Sequence, residues 1–293
     1  MRLRMAQAKR SGPVALVTSA IMLTGSLCVP TPVQAATPMI VGVTAAAENL
    51  SSVLGKYPRS KVTRIFFGSG ETLRWSDSRI TLLRSKGMIP FVSVKDDNPS
   101  AAKQFVDAIP ANVPVLYMTY MHEPEQGRDA LSASTFKSRF CNFYKTIKTS
   151  TKASRVKVVS LQTRQWTENG GHSYSTYYPG NDCTDAFGVD AYADSWRSGY
   201  PDPANFLSKM TTFARSVRKP LVLAELGAAR LSNDPTDVKR ATWIRGVGAK
   251  LRTDGTQMVI WWHEMGTGDV NFRLNQIGDW NDPCVGAWRT MIG

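Results

Sequence analysis

The chain has 293 residues, a formal charge of +13 and a 42% share of hydrophobic residues, enough apolar material for at least one large core. Its lysines and arginines are spread without a dense cluster, and no zinc-finger spacing, RNA-binding aromatic motif or basic arm accompanies them. The excess base therefore reads as a solvated surface, and a nucleic-acid partner is not expected.

Arg2, Arg4, Lys9 and Arg10 precede an apolar stretch from Pro13 to Val29, and the segment closes on Val33-Gln34-Ala35. A basic head, a short apolar centre and a small-residue exit describe a secretory signal peptide. Thr18, Ser19, Thr24, Gly25 and Ser26 interrupt the apolar run, which argues against a permanent membrane span. Cys28 lacks the small preceding residue of a lipoprotein signal. Residues 1–35 are thus expected to be removed, leaving residues 36–293 with a charge of +9, because the leader carries four bases and no acids. The mature chain is expected outside the cell, secreted or associated with the cell wall, with no membrane attachment.

Past the leader, short β-rich runs alternate with helical patterns. The first strand, Met39–Thr44, leads into Ala45-Ala46-Ala47-Glu48-Asn49, with no GxGxxG to cradle a nucleotide. The second, Val62–Gly68, carries Arg64 and precedes a helix over Asp77–Lys86. Met88–Val94 follows, then a helix over Ala101–Ile109 and a fourth strand, Val113–Met121, which ends in His122-Glu123-Pro124-Glu125. A helix over Ser132–Thr149 separates it from the fifth strand, Val156–Thr163, which runs on to Trp166 and an aromatic loop, Gly171–Tyr178. The sixth strand is Ala186–Tyr192, with a helix over Asn205–Val217 behind it. Pro220–Glu225, a helix over Pro235–Leu251 and Gln257–Trp262 complete the series. Strands alternating with helices imply parallel strands joined by crossovers, and eight such units in this length predict an α/β fold, a single (β/α)8 TIM barrel.

Three cysteines remain after the leader: Cys141, Cys183 and Cys284. In an oxidising compartment they imply one disulfide and one leftover thiol, with the pairing open. None has metal-site spacing, and neither a metal nor another cofactor is expected.

In such a barrel the active site lies at the carboxyl ends of the strands. The fourth strand reaches Glu123 there, and the seventh, Leu221-Val222-Leu223-Ala224, reaches Glu225. Alternation puts Glu123 with Thr119 and Met121, and Glu225 with Leu221 and Leu223, so that both point to the mouth. Alone, each glutamate reads as a surface or cap residue. Together they match the pair that cleaves a glycosidic bond, one protonating the leaving oxygen and the other attacking or activating water. Glu125 is the rival acid on the same loop, and His263-Glu264 is the rival pair at the eighth strand.

This arrangement resembles the clan A glycoside hydrolases, retaining barrels with an acid/base glutamate after strand four and a nucleophile glutamate after strand seven. His122 before Glu123 is similar to family 26, the β-mannanase family, and Ala224-Glu225-Leu226-Gly227 resembles the nucleophile strand. The resemblance implies Glu123 as acid/base, Glu225 as nucleophile, and Tyr192, in Phe187-Gly188-Val189-Asp190-Ala191-Tyr192, as hydrogen-bond donor to the nucleophile. It also implies that the eighth strand presents an aromatic platform. Alternation lets one of Trp261 and Trp262 face the lumen, and Trp261 is expected to be that one. His122 and Trp166 complete the substrate-binding set. Arg64 reads as a structural ion pair in preference to an anchor for the nucleophile.

The expected function is a secreted retaining glycoside hydrolase acting on a β-linked polysaccharide or cell-surface glycan, endo-β-mannanase-like as a first choice. It is expected to act as a monomer whose partner is the polysaccharide or oligosaccharide substrate. The alternatives are a non-catalytic carbohydrate-binding barrel and a cell-wall-associated structural protein held by its positive charge. A chitinase-like barrel is set aside because Val115 to Glu123 contains no Asp.

Overall fold

Period-two alternation sends one set of strand side chains into a lumen and the other against a layer of helices. The computed structural model describes residues 38–125, 130–193, 199–266, 270–275 and 279–293. In it eight parallel strands close in chain order: β1 Ile40–Thr44, β2 Val62–Phe67, β3 Ile89–Val94, β4 Leu116–Tyr120, β5 Val156–Thr163, β6 Ala186–Ala193, β7 Leu221–Ala228 and β8 Met258–Trp262. Closure comes from β1, which pairs with both β2 and β8. The (β/α)8 TIM barrel expected from the sequence is the fold. The leader reading falls on residues 1–35, outside the described residues.

The helices are α1 Ala47–Lys56, α2 Ser78–Ser85, α3 Pro99–Asp107, α4 Ala133–Lys148, α5 Pro203–Ser216, α6 Val238–Thr253 and α7 Pro283–Ile292. Their starts follow local chemistry. Asp77, Asn98, Ser132, Asp202 and Asp282 each accept a hydrogen bond from a first-turn N–H, and α3, α5 and α7 place a proline in that turn. Helices α1 and α7 are additions to the sequence reading. Ala46 offers α1 no side-chain cap, and Glu264 accepts from Ala46 N at 3.1 Å instead, a partner 218 residues away. For α7 the Asp282-Pro283 signal was present.

The lumen has two levels. Its lower part is an apolar plug that includes Val62, Phe91, Tyr117, Leu161, Val222 and Met258. One pleat higher it turns polar, with Thr44, Arg64, Ser93 and Asp190 all buried. Outside the barrel, Trp261 meets Trp288 of α7 at 5.2 Å between ring centroids. Among the described residues the β5–β6 crossover holds no α-helix, only a π-helical turn at Gln165–Asn169 and a 3-10 turn at Asn181–Cys183. A Cys141–Cys183 disulfide ties this crossover to α4, and Cys284 is the buried free thiol.

The disulfide closes a sequence separation of 42 residues, for which chain entropy gives a stabilisation of roughly 3–4 kcal/mol. A Cys141→Ser, Cys183→Ser double variant should lose about that much in urea unfolding, and reductant should have no further effect on it.

Candidate active site

Alternation alone would turn Glu225 outward, because its partners Leu221 and Leu223 pack in the outer core. The structure corrects that reading with a β-bulge. The β6–β7 register passes from Val189↔Leu223 to Asp190↔Glu225, so Ala224 is the extra residue, and the β7–β8 register shifts over the same stretch. The bulge re-aims Glu225 into the lumen. There Arg64 Nη1 donates to Glu225 Oε1 at 2.9 Å and to Asp190 Oδ1 and Oδ2 at 2.8 and 2.9 Å, while Arg64 Nε donates to Ser93 Oγ at 2.7 Å. Tyr192 Oη donates to Glu225 Oε2. The Tyr192 ring packs on Phe272 at 4.7 Å, and a Cβ at Gly227 would lie 2.6 Å from that tyrosine ring. Glycine at 227 therefore keeps Tyr192 in place.

Glu123 reaches the same point from the other side. It does so after the strand has ended, since β4 stops at Tyr120. Met121 (φ 45°) and Glu123 (φ 53°) are both left-handed, a conformation that costs a non-glycine residue about 1–2 kcal/mol. Met121 consequently packs in the outer core, and the shared face expected for Thr119, Met121 and Glu123 does not exist. One carboxylate oxygen each from Glu123, Asp190 and Glu225 lie within 4.8 Å of one another. Two strained residues within three positions, ending on such a cluster, mark a site held for more than folding.

Three carboxyls face one guanidinium, and their pKa values respond. Burial raises Glu225 most, Arg64 opposes this, Glu123 adds to it, and the carboxyl stands at about 7. Burial likewise pushes Asp190 well up, with Arg64 pulling down and Glu225 pushing up. Both shifts favour a proton shared within the cluster. As oxygen donors the three could ligate a cation, but Arg64 Nη1 already bonds Asp190 and Glu225. The second buried donor group, Asp237, Asp282 and Cys284, has Arg230 and Arg240 beside Asp237.

His122 is half-buried, with its ring edge-on to Phe66 at 5.4 Å. Burial, then Arg64 and Lys95, hold its pKa well below the usual value, so the imidazole is neutral. Phe66 also meets Trp262 edge-to-face at 5.8 Å. Trp262, half-buried, is the eighth-strand aromatic of the lumen, which corrects the choice of Trp261. Trp261 is fully buried in the outer core, and its Nε1 donates to Phe272 O at 2.8 Å. Met258 and Ile260 fill the lumen, and period two carries that face to Trp262.

Trp166 lies on the π-helical turn after β5, stacked on His172 at 3.8 Å with Tyr177 against its edge. That leaves one ring face covered by the protein itself. Tyr174 and Tyr177 are buried, donating to Glu168 Oε1 and Leu131 O, so these loop tyrosines pack the loop. Neither rival acid joins the cluster. Glu125 is buried against β5, where Thr163 Oγ1 donates to it at 2.7 Å. Glu264 accepts from Asn49 Nδ2 at 2.8 Å and Arg273 Nη2 at 3.0 Å, and His263 Nδ1 accepts from Leu274 N at 3.2 Å. Asp190 and Ser93 are the site residues that sequence reasoning passed over. Asp190 shares a face with Tyr192 two residues on, which was the available signal.

No family model matches the chain. In sequence, a 129-residue segment is 26% identical to Endoglucanase H of Acetivibrio thermocellus, spanning 42% of this chain and 13% of that protein's length. In structure, a broad-specificity endoglucanase from Clostridium acetobutylicum superposes with a TM-score of 0.60 at 12% identity, covering 87% of this chain and 97% of that one. A family 26 β-mannanase from Bacteroides ovatus gives 0.57 at 14% identity, covering 86% and 88%. A family 128 endo-β-1,3-glucanase from Amycolatopsis mediterranei gives 0.55 at 13%, covering 87% and 100%. These neighbours are clan A glycoside hydrolases, and likeness at such identities establishes the barrel fold.

An Arg64→Met variant leaves Asp190 and Glu225 buried without their cation, a loss of about 3–5 kcal/mol. Both carboxyls are already raised above their unfolded values, and losing Arg64 raises them further. Stability tied to their protonated forms disappears as pH rises, so the loss in urea unfolding should be larger at pH 8 than at pH 5.

Proposed function

We propose that the chain is a secreted retaining glycoside hydrolase that cleaves a β-linked polysaccharide or cell-surface glycan. The observation that carries this reading is the approach of Glu123 to Glu225 at the strand ends, with carboxylate oxygens within 4.8 Å. Inverting enzymes hold the pair about 6.5–9.5 Å apart to admit a water, whereas retaining enzymes hold it at about 5–5.5 Å. The clan A membership of the structural neighbours supports the same class, and their named activities on β-1,4-mannan and β-1,3-glucan suggest the first substrates to try.

The roles follow from surroundings. Glu225, gripped by Arg64 and Tyr192, is oriented to attack the anomeric carbon, and both hydrogen bonds favour its ionised form. Glu123, half-exposed at the mouth, delivers a proton to the leaving oxygen and afterwards takes one from water. In the first step the bond from anomeric carbon to leaving oxygen breaks as the bond to the Glu225 carboxylate forms. In the second, water displaces Glu225, and Glu123 regains its proton. Neutral His122 offers a hydrogen bond to a sugar hydroxyl, and Trp262 offers an aromatic face to the pyranose.

Screening β-mannan, β-glucan, xylan and arabinogalactan-type polymers should find one that the mature chain cleaves. On that polymer Glu225→Ala and Glu123→Gln should each lower kcat/KM by about 10³-fold or more. Variants that match the parent would sink the assignment. Because Glu225 attacks only when ionised while Glu123 must still hold the proton it delivers, kcat/KM should rise and then fall with pH, in a bell set by the coupled pair. A profile already flat from pH 5 upward would contradict the stated role of the buried carboxyl.

A further inference from the structure

The barrel wall is open beside Glu123. Strand β4 pairs with β5 only at Leu116↔Val156, Tyr117↔Lys157 and Met118↔Val158. On its other side it follows β3 further, to Val94↔Tyr120, and Met121 N donates to Val94 O at 2.8 Å. Meanwhile β5 stays with β6 up to Thr163↔Asp190. The upper edge of β5 that faces β4 therefore lacks a partner strand. Val158 N and Ser160 N donate toward the β6 side, to Asp185 and Thr184, so period two turns Thr163 N toward the open seam.

Glu125 fills that seam. Its Oε1 accepts from both Thr163 N and Thr163 Oγ1, the latter at 2.7 Å, and the side chain is buried. A buried carboxyl is costly unless it is hydrogen-bonded, and these bonds tie it to β5. Here it fixes a strained loop. Met121 and Glu123 are both left-handed, and such residues persist only when the chain around them is held at both ends. The near end is held by the Met121–Val94 bond. At the far end, Leu131 N donates to Pro124 O at 2.8 Å, Tyr177 Oη donates to Leu131 O at 2.8 Å, and Glu125 grips β5.

We infer that Glu125 is a positioning residue: its carboxyl stands in for the missing β4 backbone on the edge of β5 and so holds Glu123 within reach of Glu225. This rests on the reading that Glu123 and Glu225 carry out glycoside cleavage. Glu125 lies outside the carboxyl cluster of Glu123, Asp190 and Glu225. Its burial raises its carboxyl to about 7, so near neutrality it needs an acceptor oxygen more than a charge, and glutamine should replace it well.

The test uses the whole chain with Glu125→Gln, Glu125→Ala and Thr163→Val. Crystal structures of the parent and each variant measure the separation of the Glu123 and Glu225 carboxyls. The parent and Glu125→Gln should keep it, whereas Glu125→Ala should lengthen it, with Glu123 leaving its left-handed conformation. Kinetics then separate positioning from general damage. An aryl glycoside with a good leaving group needs little help from the acid, whereas a natural glycosidic bond needs it fully. Glu125→Ala should lose at least 10-fold in kcat on the natural bond with KM little changed, and less than about 3-fold in the glycosylation step on the aryl glycoside. Should the alanine variant not fold, Thr163→Val, which keeps the backbone donor, should show the same split in weaker form. An unchanged carboxyl separation in Glu125→Ala, or equal losses on both substrates, would overturn the inference. A parent that cleaves neither glycoside would remove the functional reading, and the crystal structures alone would then decide the clamp.

Discussion

The guanidinium of Arg64 is the interaction on which the rest of the site depends. It is wholly buried in the lumen, yet it bonds Ser93 on β3, Asp190 on β6 and Glu225 on β7. One cation thus ties four of the eight strands together just above the apolar plug. The plug excludes water below, which makes any unpaired charge above it costly. Around this centre the wall departs from regular barrel geometry in two places. A bulge in β7 delivers Glu225, and a left-handed turn after β4 delivers Glu123. Both irregularities bring acids towards the same few ångströms.

Such a cluster is poorly suited to folding alone. Burial first, and then the surplus of negative charge of three carboxyls around one arginine, raises the pKa values of Asp190 and Glu225. For bond cleavage the same surplus is useful. In the proposed cleavage it favours a proton held within the cluster, and the bonds from Arg64 and Tyr192 direct Glu225 at the sugar. Burial, strain and like charge converge at the strand ends, where a barrel of this kind carries its chemistry.

Much of the frame was legible in the sequence. Eight apolar runs alternating with amphipathic stretches gave the barrel, because parallel strands covered on both faces must be apolar almost throughout. The two glutamates stood out because each follows such a run directly. Their orientation was not legible. Strict alternation sends Glu225 outward, and only the one-residue bulge at Ala224, set by pairing with β6 and β8, returns it to the lumen. The choice of Trp261 failed for a related reason. Period two says that one tryptophan faces inward, but the phase is fixed by which strand residues fill the plug. Arg64 was read as a structural ion pair in preference to an anchor for Glu225, yet it bonds Glu225 as well as Asp190, and nothing local revealed these partners 161 and 126 residues away.

In the proposed mechanism Glu225 forms a bond to the sugar. A 2-deoxy-2-fluoro glycoside with a good leaving group slows the release of such an intermediate, since the fluorine destabilises the charge that develops on the ring. Intact mass spectrometry of the chain incubated with this reagent, on the sugar that the polymer screen identifies, should show one added glycosyl unit. Peptide mapping should place it on Glu225, and the Glu225→Ala variant should take up none. An adduct on another residue, or turnover of the natural substrate with inversion and no adduct, would contradict the account.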